Sequence, residues 1–141
     1  MTNDRLPAPG YAWPPREVST VPQVYGMIRG LPEGTVLAEF PFGDLAYAIR
    51  FVFYSGYHRR PIVNGYSGFA PATYARIVGP LSHIPNDAAA WNALLSSGAT
   101  HAIVHETAFL DQDGVQVSDW LRQFGAREIG AAGADRVFQL R

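Results

Sequence analysis

Segments with helical periodicity alternate along this chain with short apolar runs. That alternation constrains the fold more than any other feature. After Thr20, Val21, Val24, Tyr25 and Ile28 recur at helical spacing; Pro22 suits a first turn, and Gly30 and Pro32 form a stop. Residues 35–40 read as a strand between Gly34 and Pro41. Asp44 caps a second helix with Leu45, Ala48, Ile49 and Val52 on one face. Phe51, Phe53 and Tyr54 make its end apolar all round, with strand-like character, and residues 61–64 read as a second strand. Pro71 opens a third helix carrying Tyr74, Ile77, Val78 and Leu81, interrupted at Gly79 and Pro80. Asp87 caps a fourth with Trp91, Leu94 and Leu95, closed by Gly98. Residues 101–105 form a third strand, and 109–115 read as a turn around Asp111, Asp113 and Gly114. Ser118 caps a fifth helix ending at Gly125, and 127–130 with 136–140 form a hairpin around Gly133. The pattern predicts an α/β layered sandwich with a mixed, partly parallel sheet and a C-terminal antiparallel hairpin. Residues 1–15, with Pro7, Pro9, Pro14 and Pro15, read as an extended lead-in; 16–141 read as one α/β domain.

Composition removes several classes of function. The 141 residues carry 11 cations, all arginine, against 12 acids, a formal charge of −1. No basic cluster exists to release counterions from phosphates, so nucleic acid is not an expected partner. With no lysine, a P-loop and Schiff-base chemistry are both excluded. With no cysteine, disulfides, thiolate nucleophiles and cysteine zinc sites are excluded as well. No apolar window is long enough to span a bilayer, and residues 1–10 lack the apolar core of a signal peptide.

Polar and aromatic residues gather just after the first two predicted strands. In open α/β sheets ligands bind at the carboxyl ends of strands. A ligand site is therefore expected from Glu39, Asp44, His58, Arg59, Asn64, Tyr66 and Ser67. The bland reading of the same residues makes Asp44 a helix cap, Asn64-Gly65 a tight turn and His58 a loop residue bonded to backbone. Arg59 with Arg60 offers forked donors for a carboxylate or phosphate. The rings of Phe51, Phe53, Tyr54, Tyr57, Tyr66, Phe69 and Tyr74 suit stacking on a sugar as well as core packing. Ser67 does not form a nucleophile elbow, because Gly68 falls one residue early for Gly-x-Ser-x-Gly. His101 and His105 lie on a strand about 13 Å apart, too far for one metal. His105-Glu106 reads as a solvated strand end, or as the edge of a site. No cofactor or metal is expected.

The run Glu39-x-Pro41-Phe42-Gly43-Asp44, then Tyr54-Ser55, His58, Pro61 and Asn64-Gly65-Tyr66-Ser67-Gly68-Phe69, then Pro71 and Tyr74, carries a family pattern. It resembles the C-terminal domain of bacterial polytopic membrane proteins of the GT-C glycosyltransferase type, similar to dolichyl-phosphate mannosyltransferases. The match continues more weakly through Trp91, Leu94, Leu95, Gly98 and Val104-His105. Where the family commonly has an aromatic residue after the histidine, this chain has Arg59. The resemblance implies a non-catalytic domain on the extracytoplasmic side of the membrane, partnered by the membrane domain of a longer parent protein. That membrane domain would hold the catalytic carboxylates. This domain would help recognise a glycan acceptor or a polyprenyl-phosphate sugar. The competing expectations are a small stand-alone hydrolase or transferase using Ser67 or the Glu39/His58 pair, which would be cytoplasmic, and a purely structural interaction module.

Overall fold

A computed structural model describes residues 21–64 and 71–141, and for 71–75 the backbone alone. The lead-in at 1–15 and the stretch 65–70, which holds Tyr66 and Ser67, lie outside the described residues. The element order is α1 (Gln23–Arg29), β1 (Leu37–Phe40), α2 (Leu45–His58), α3 (Pro71–Ser82), α4 (Ala88–Ser96), β2 (His101–His105), a 3-10 turn (Glu106–Ala108), α5 (Asp113–Gln123), β3 (Arg127–Ala132) and β4 (Asp135–Gln139). Four strands form one mixed sheet in the order β1-β2-β4-β3. β1 and β2 are parallel, and β4 pairs antiparallel with both β2 and β3. The expected α/β class and C-terminal hairpin are therefore present.

The two faces of the sheet carry separate cores. Ala38, Phe40, Ala102, Val104 and Phe138 pack with Leu81, Leu94, Trp120 and Leu121, under α3, α4 and α5. Leu37, Ile103 and Val137 pack with Val24, Tyr25, Ile28, Phe51 and Tyr54, under α1 and α2. Covered on both sides, β1 is buried at every residue, and apart from Glu39 it is apolar.

Four local expectations differ from the structure. α2 stays helical to His58, because Phe51 and Tyr54 share one face, and it ends at Arg59 in the left-handed region (φ 62°). Residues 61–64 contribute only a bridge: the Leu37 N–H donates to the Pro61 carbonyl and the Val63 N–H to the Leu37 carbonyl. α3 runs on through Pro80 to Ser82. Pro80 sits in the last turn, where the loss is one N–H donor near a fraying end. Ser118 is not a cap. α5 begins at Asp113, and the buried Ser118 hydroxyl donates to Glu106 Oε2 at 2.7 Å. The caps at Asp44 and Asp87 are as expected, each carboxylate accepting from first-turn amides. Among the described residues no helix is long and apolar enough to cross a membrane.

Candidate functional site

The strand pleat places the site. Successive side chains alternate between sheet faces, so Glu39 shares the α1/α2 face with Leu37, and His105 shares it with Ile103. The register sets Glu39 opposite Ile103 and His105 opposite Asp135. His105 thus stands diagonal to Glu39 on one side and beside Asp135 on the other. Its Nε2 lies 2.8 Å from Glu39 Oε1 and its Nδ1 2.9 Å from Asp135 Oδ1. Both carboxylates accept, so the ring must donate from both nitrogens and is the imidazolium. Burial opposes that charge, but the hydrogen bonds to Asp135 and Glu39 and their negative charge prevail and push the pKa up to about 9.

Glu39 is fully buried and held from three directions. The Tyr25 hydroxyl donates to its Oε1 at 2.7 Å. Burial, and then the neighbouring Glu39 carboxylate, hold the Tyr25 phenol well above its ordinary range. The Asn64 side chain pairs with the Glu39 backbone as an adjacent strand would. The Glu39 N–H donates to Asn64 Oδ1 at 2.7 Å, and Asn64 Nδ2 donates to the Glu39 carbonyl. Glu39 Oε2 has no partner among the described residues.

His58 stands at the edge of the same cluster, stacked on Tyr25 with ring centroids 5.4 Å apart. Its Nδ1 accepts from the Arg60 backbone N–H at 3.1 Å, so the neutral ring carries its proton on Nε2, a buried atom without a partner among the described residues. Burial, and then the Arg60 charge, lower its pKa to about 4. One histidine of the cluster is therefore neutral at pH 7 and the other charged.

A cleft of about 180 Å³ opens over this network. Its walls are Pro22 and Tyr25 from α1 with Tyr47, Arg50, Phe51 and Tyr54 from α2; its floor is His105, Thr107, Ala108 and Asp135. Phe51 lies flat on the His105 ring, 5.1 Å between centroids, and the Arg50 guanidinium lies over Tyr47. Tyr54 stacks on Tyr25 at 4.8 Å. The cleft thus offers aromatic faces, a carboxylate and a guanidinium at the carboxyl ends of the two parallel strands.

Of the residues expected from sequence, the structure brings Glu39, His58 and Asn64 together. Asp44 and Arg59 do not join them: they sit at opposite ends of α2, Asp44 as its N-cap and Arg59 as its exposed C-cap. Tyr66 and Ser67 lie outside the described residues. His105, which read as a solvated strand end or the edge of a site, is instead partly buried at the centre of the site. Asp135 and Tyr25, which read as a turn residue and a helix-core residue, complete it. The signal available was parity along 101–105, which puts His105 on the face of the buried Ile103.

No group of three or more potential ligands is placed to hold a metal ion among the described residues. The fold and site together define a three-layer α/β domain with an aromatic cleft over a carboxylate–imidazolium–carboxylate floor. Comparison with protein-family models, curated proteins and solved structures found no match.

Proposed function

We propose that this chain is a non-catalytic ligand-binding domain of a GT-C-type membrane glycosyltransferase-like protein. On this reading it lies on the extracytoplasmic side and takes the sugar of an acceptor or of a polyprenyl-phosphate donor into the α1/α2 cleft. One observation carries the reading: His105, on the cleft floor, is clamped at both nitrogens by carboxylates. With a pKa of about 9 it is already protonated at neutral pH and has no lone pair with which to accept a proton. The His105 ring is suited to holding a fixed charge rather than to accepting a proton. The aromatic walls Tyr47, Phe51 and Tyr54 suit the C–H faces of a sugar ring, while Asp135 and Arg50 suit hydroxyls and a phosphate. The Asn64–Phe69 string and the strand-end glutamate add the family resemblance to this chemistry.

The test is a chemical-shift titration of the chain with soluble oligosaccharides and short-chain polyprenyl-phosphate sugars. Shifts are expected at Tyr25, Tyr47, Phe51, Tyr54 and His105. Shifts confined to the α3–α5 face, or none with either ligand class, refute the assignment. Turnover in esterase or glycosidase screens that disappears in Glu39→Gln or His58→Gln would replace it with the enzyme reading.

A further inference from the structure

α2 is apolar on two opposite sides, and only one of them is covered. At 100° per residue, Tyr47, Phe51 and Tyr54 face the cleft and the sheet, whereas Leu45, Ile49, Val52 and Gly56 point directly away. That outward row is exposed: Leu45 by 76%, Ile49 by 50% and Val52 by 38%. No charged or hydrogen-bonding side chain interrupts it. A helix that is apolar all round normally has cover on both sides.

The row runs into a cationic corner. Arg59 closes α2, the Arg60 guanidinium donates to the carbonyls of Ile28, Arg29 and Leu31, and the Arg29 guanidinium lies over the Tyr57 ring. No carboxylate among the described residues forms an ion pair with any of these three arginines. Asp44 stands at the start of the row, and its carboxylate is committed to the amides of Ala46 and Tyr47.

We propose that this face of α2 docks on an anionic lipid surface. Leu45, Ile49 and Val52 enter the boundary between headgroups and acyl chains, and Arg29 and Arg59 meet lipid phosphates. A helix lying in the interface plane with its apolar side down and cations at its edge is the geometry that such binding requires. A second copy fits less well. Antiparallel packing of two α2 helices would offer each arginine corner only the partner's Asp44, already used as a cap. Three side chains on a helix about 21 Å long also present little beside the roughly 800 Å² per partner of a stable protein interface. The docking does not depend on what the cleft binds.

Sedimentation of the full chain with vesicles tests it. Binding is expected to vesicles containing phosphatidylglycerol, to weaken as salt rises, and to be weak with phosphatidylcholine alone. Ile49→Ser with Val52→Ser, and separately Arg29→Gln with Arg59→Gln, should each lower the partition coefficient about tenfold. These side chains are exposed, so thermal unfolding of the variants should match the parent. Three results overturn the proposal: no binding to the anionic vesicles at low salt, equal binding by the serine variant, or a dimer in light scattering that the serine substitutions dissolve. Failure here leaves the cleft titration unaffected, so the two readings fall separately.

Discussion

The double clamp on His105 makes a definite prediction about alkaline stability. In the unfolded chain the ring loses its proton near its ordinary value of 6.5; in the fold it does so near 9. Between those values the native state binds one more proton than the unfolded state, so stability falls as pH rises. The contribution is fully present below pH 6.5 and gone above pH 9. At ~1.36 kcal/mol per pH unit, the interval corresponds to about 3 kcal/mol, a large share of the 5–15 kcal/mol that holds a typical domain together. Urea unfolding at successive pH values between 6 and 10 should show a decline of about 1.4 kcal/mol per pH unit through the middle of that window. His105→Gln should lose the slope, at a cost at pH 7 of about 3–5 kcal/mol for breaking a buried ion pair. Should that variant fail to fold, Asp135→Asn keeps the ring and removes one carboxylate. Its decline should then begin at the same pH but end at lower pH, with a smaller total loss, and the His105 ring resonances should titrate below 9. The reasoning is refuted if parental stability is flat from pH 7 to 9, or if His105 titrates near 6.5 in the folded chain.

His58 should act with the opposite sign. Its folded pKa is lowered to about 4, so the stability it contributes is present above pH 6.5 and is lost as pH falls towards 4; His58→Gln should flatten that acid limb in the same urea series. Asn64→Ala strips partners from the buried N–H and carbonyl of Glu39 and should cost about 2–4 kcal/mol by urea unfolding. Gly114→Ala should destabilise far more than Gly130→Ala. A Cβ at 114 would stand 2.6 Å from Glu106 Cα, which is backbone, whereas at 130 it meets only the flexible end of Met27; comparison of melting temperatures checks the order.

Where local chemistry decides the structure, the sequence was legible. Asp44 and Asp87 each precede an apolar periodic run and cap it, and residues 101–105 are apolar enough to be recognised as a buried strand. It was less legible where tertiary contacts decide. Ser118 reads as a cap because serine favours caps, yet Gly114 lets α5 approach the backbone of Glu106, and the Ser118 hydroxyl finds its partner there. The site divides in the same way. Glu39, His58 and Asn64 stand near predicted strand ends, and loop clustering was enough to single them out. Asp135 could be joined to His105 only through the register of β4 on β2, which depends on the hairpin inserting β4 between β2 and β3. No local pattern specifies that insertion, so the imidazolium at the centre of the site read as a solvated strand end.

Both proposals place a surface on α2. The cleft residues and the outward row lie on opposite sides of one helix, and a helix with its side chains is about 10–12 Å across. A domain resting on lipid through Leu45, Ile49 and Val52 therefore holds the cleft about one helix diameter above the headgroup boundary. At that height a sugar and its phosphate reach the cleft, while most of the prenyl chain anchoring them stays in the bilayer. The cleft is also small, about 180 Å³. Affinity for the cleft should accordingly be set by the sugar and phosphate and be insensitive to chain length. Calorimetric titration with one sugar phosphate carried on progressively longer prenyl chains, kept below their aggregation limits and without vesicles, should give constant dissociation constants. A steady gain with each added isoprene unit would place the chain in contact with protein.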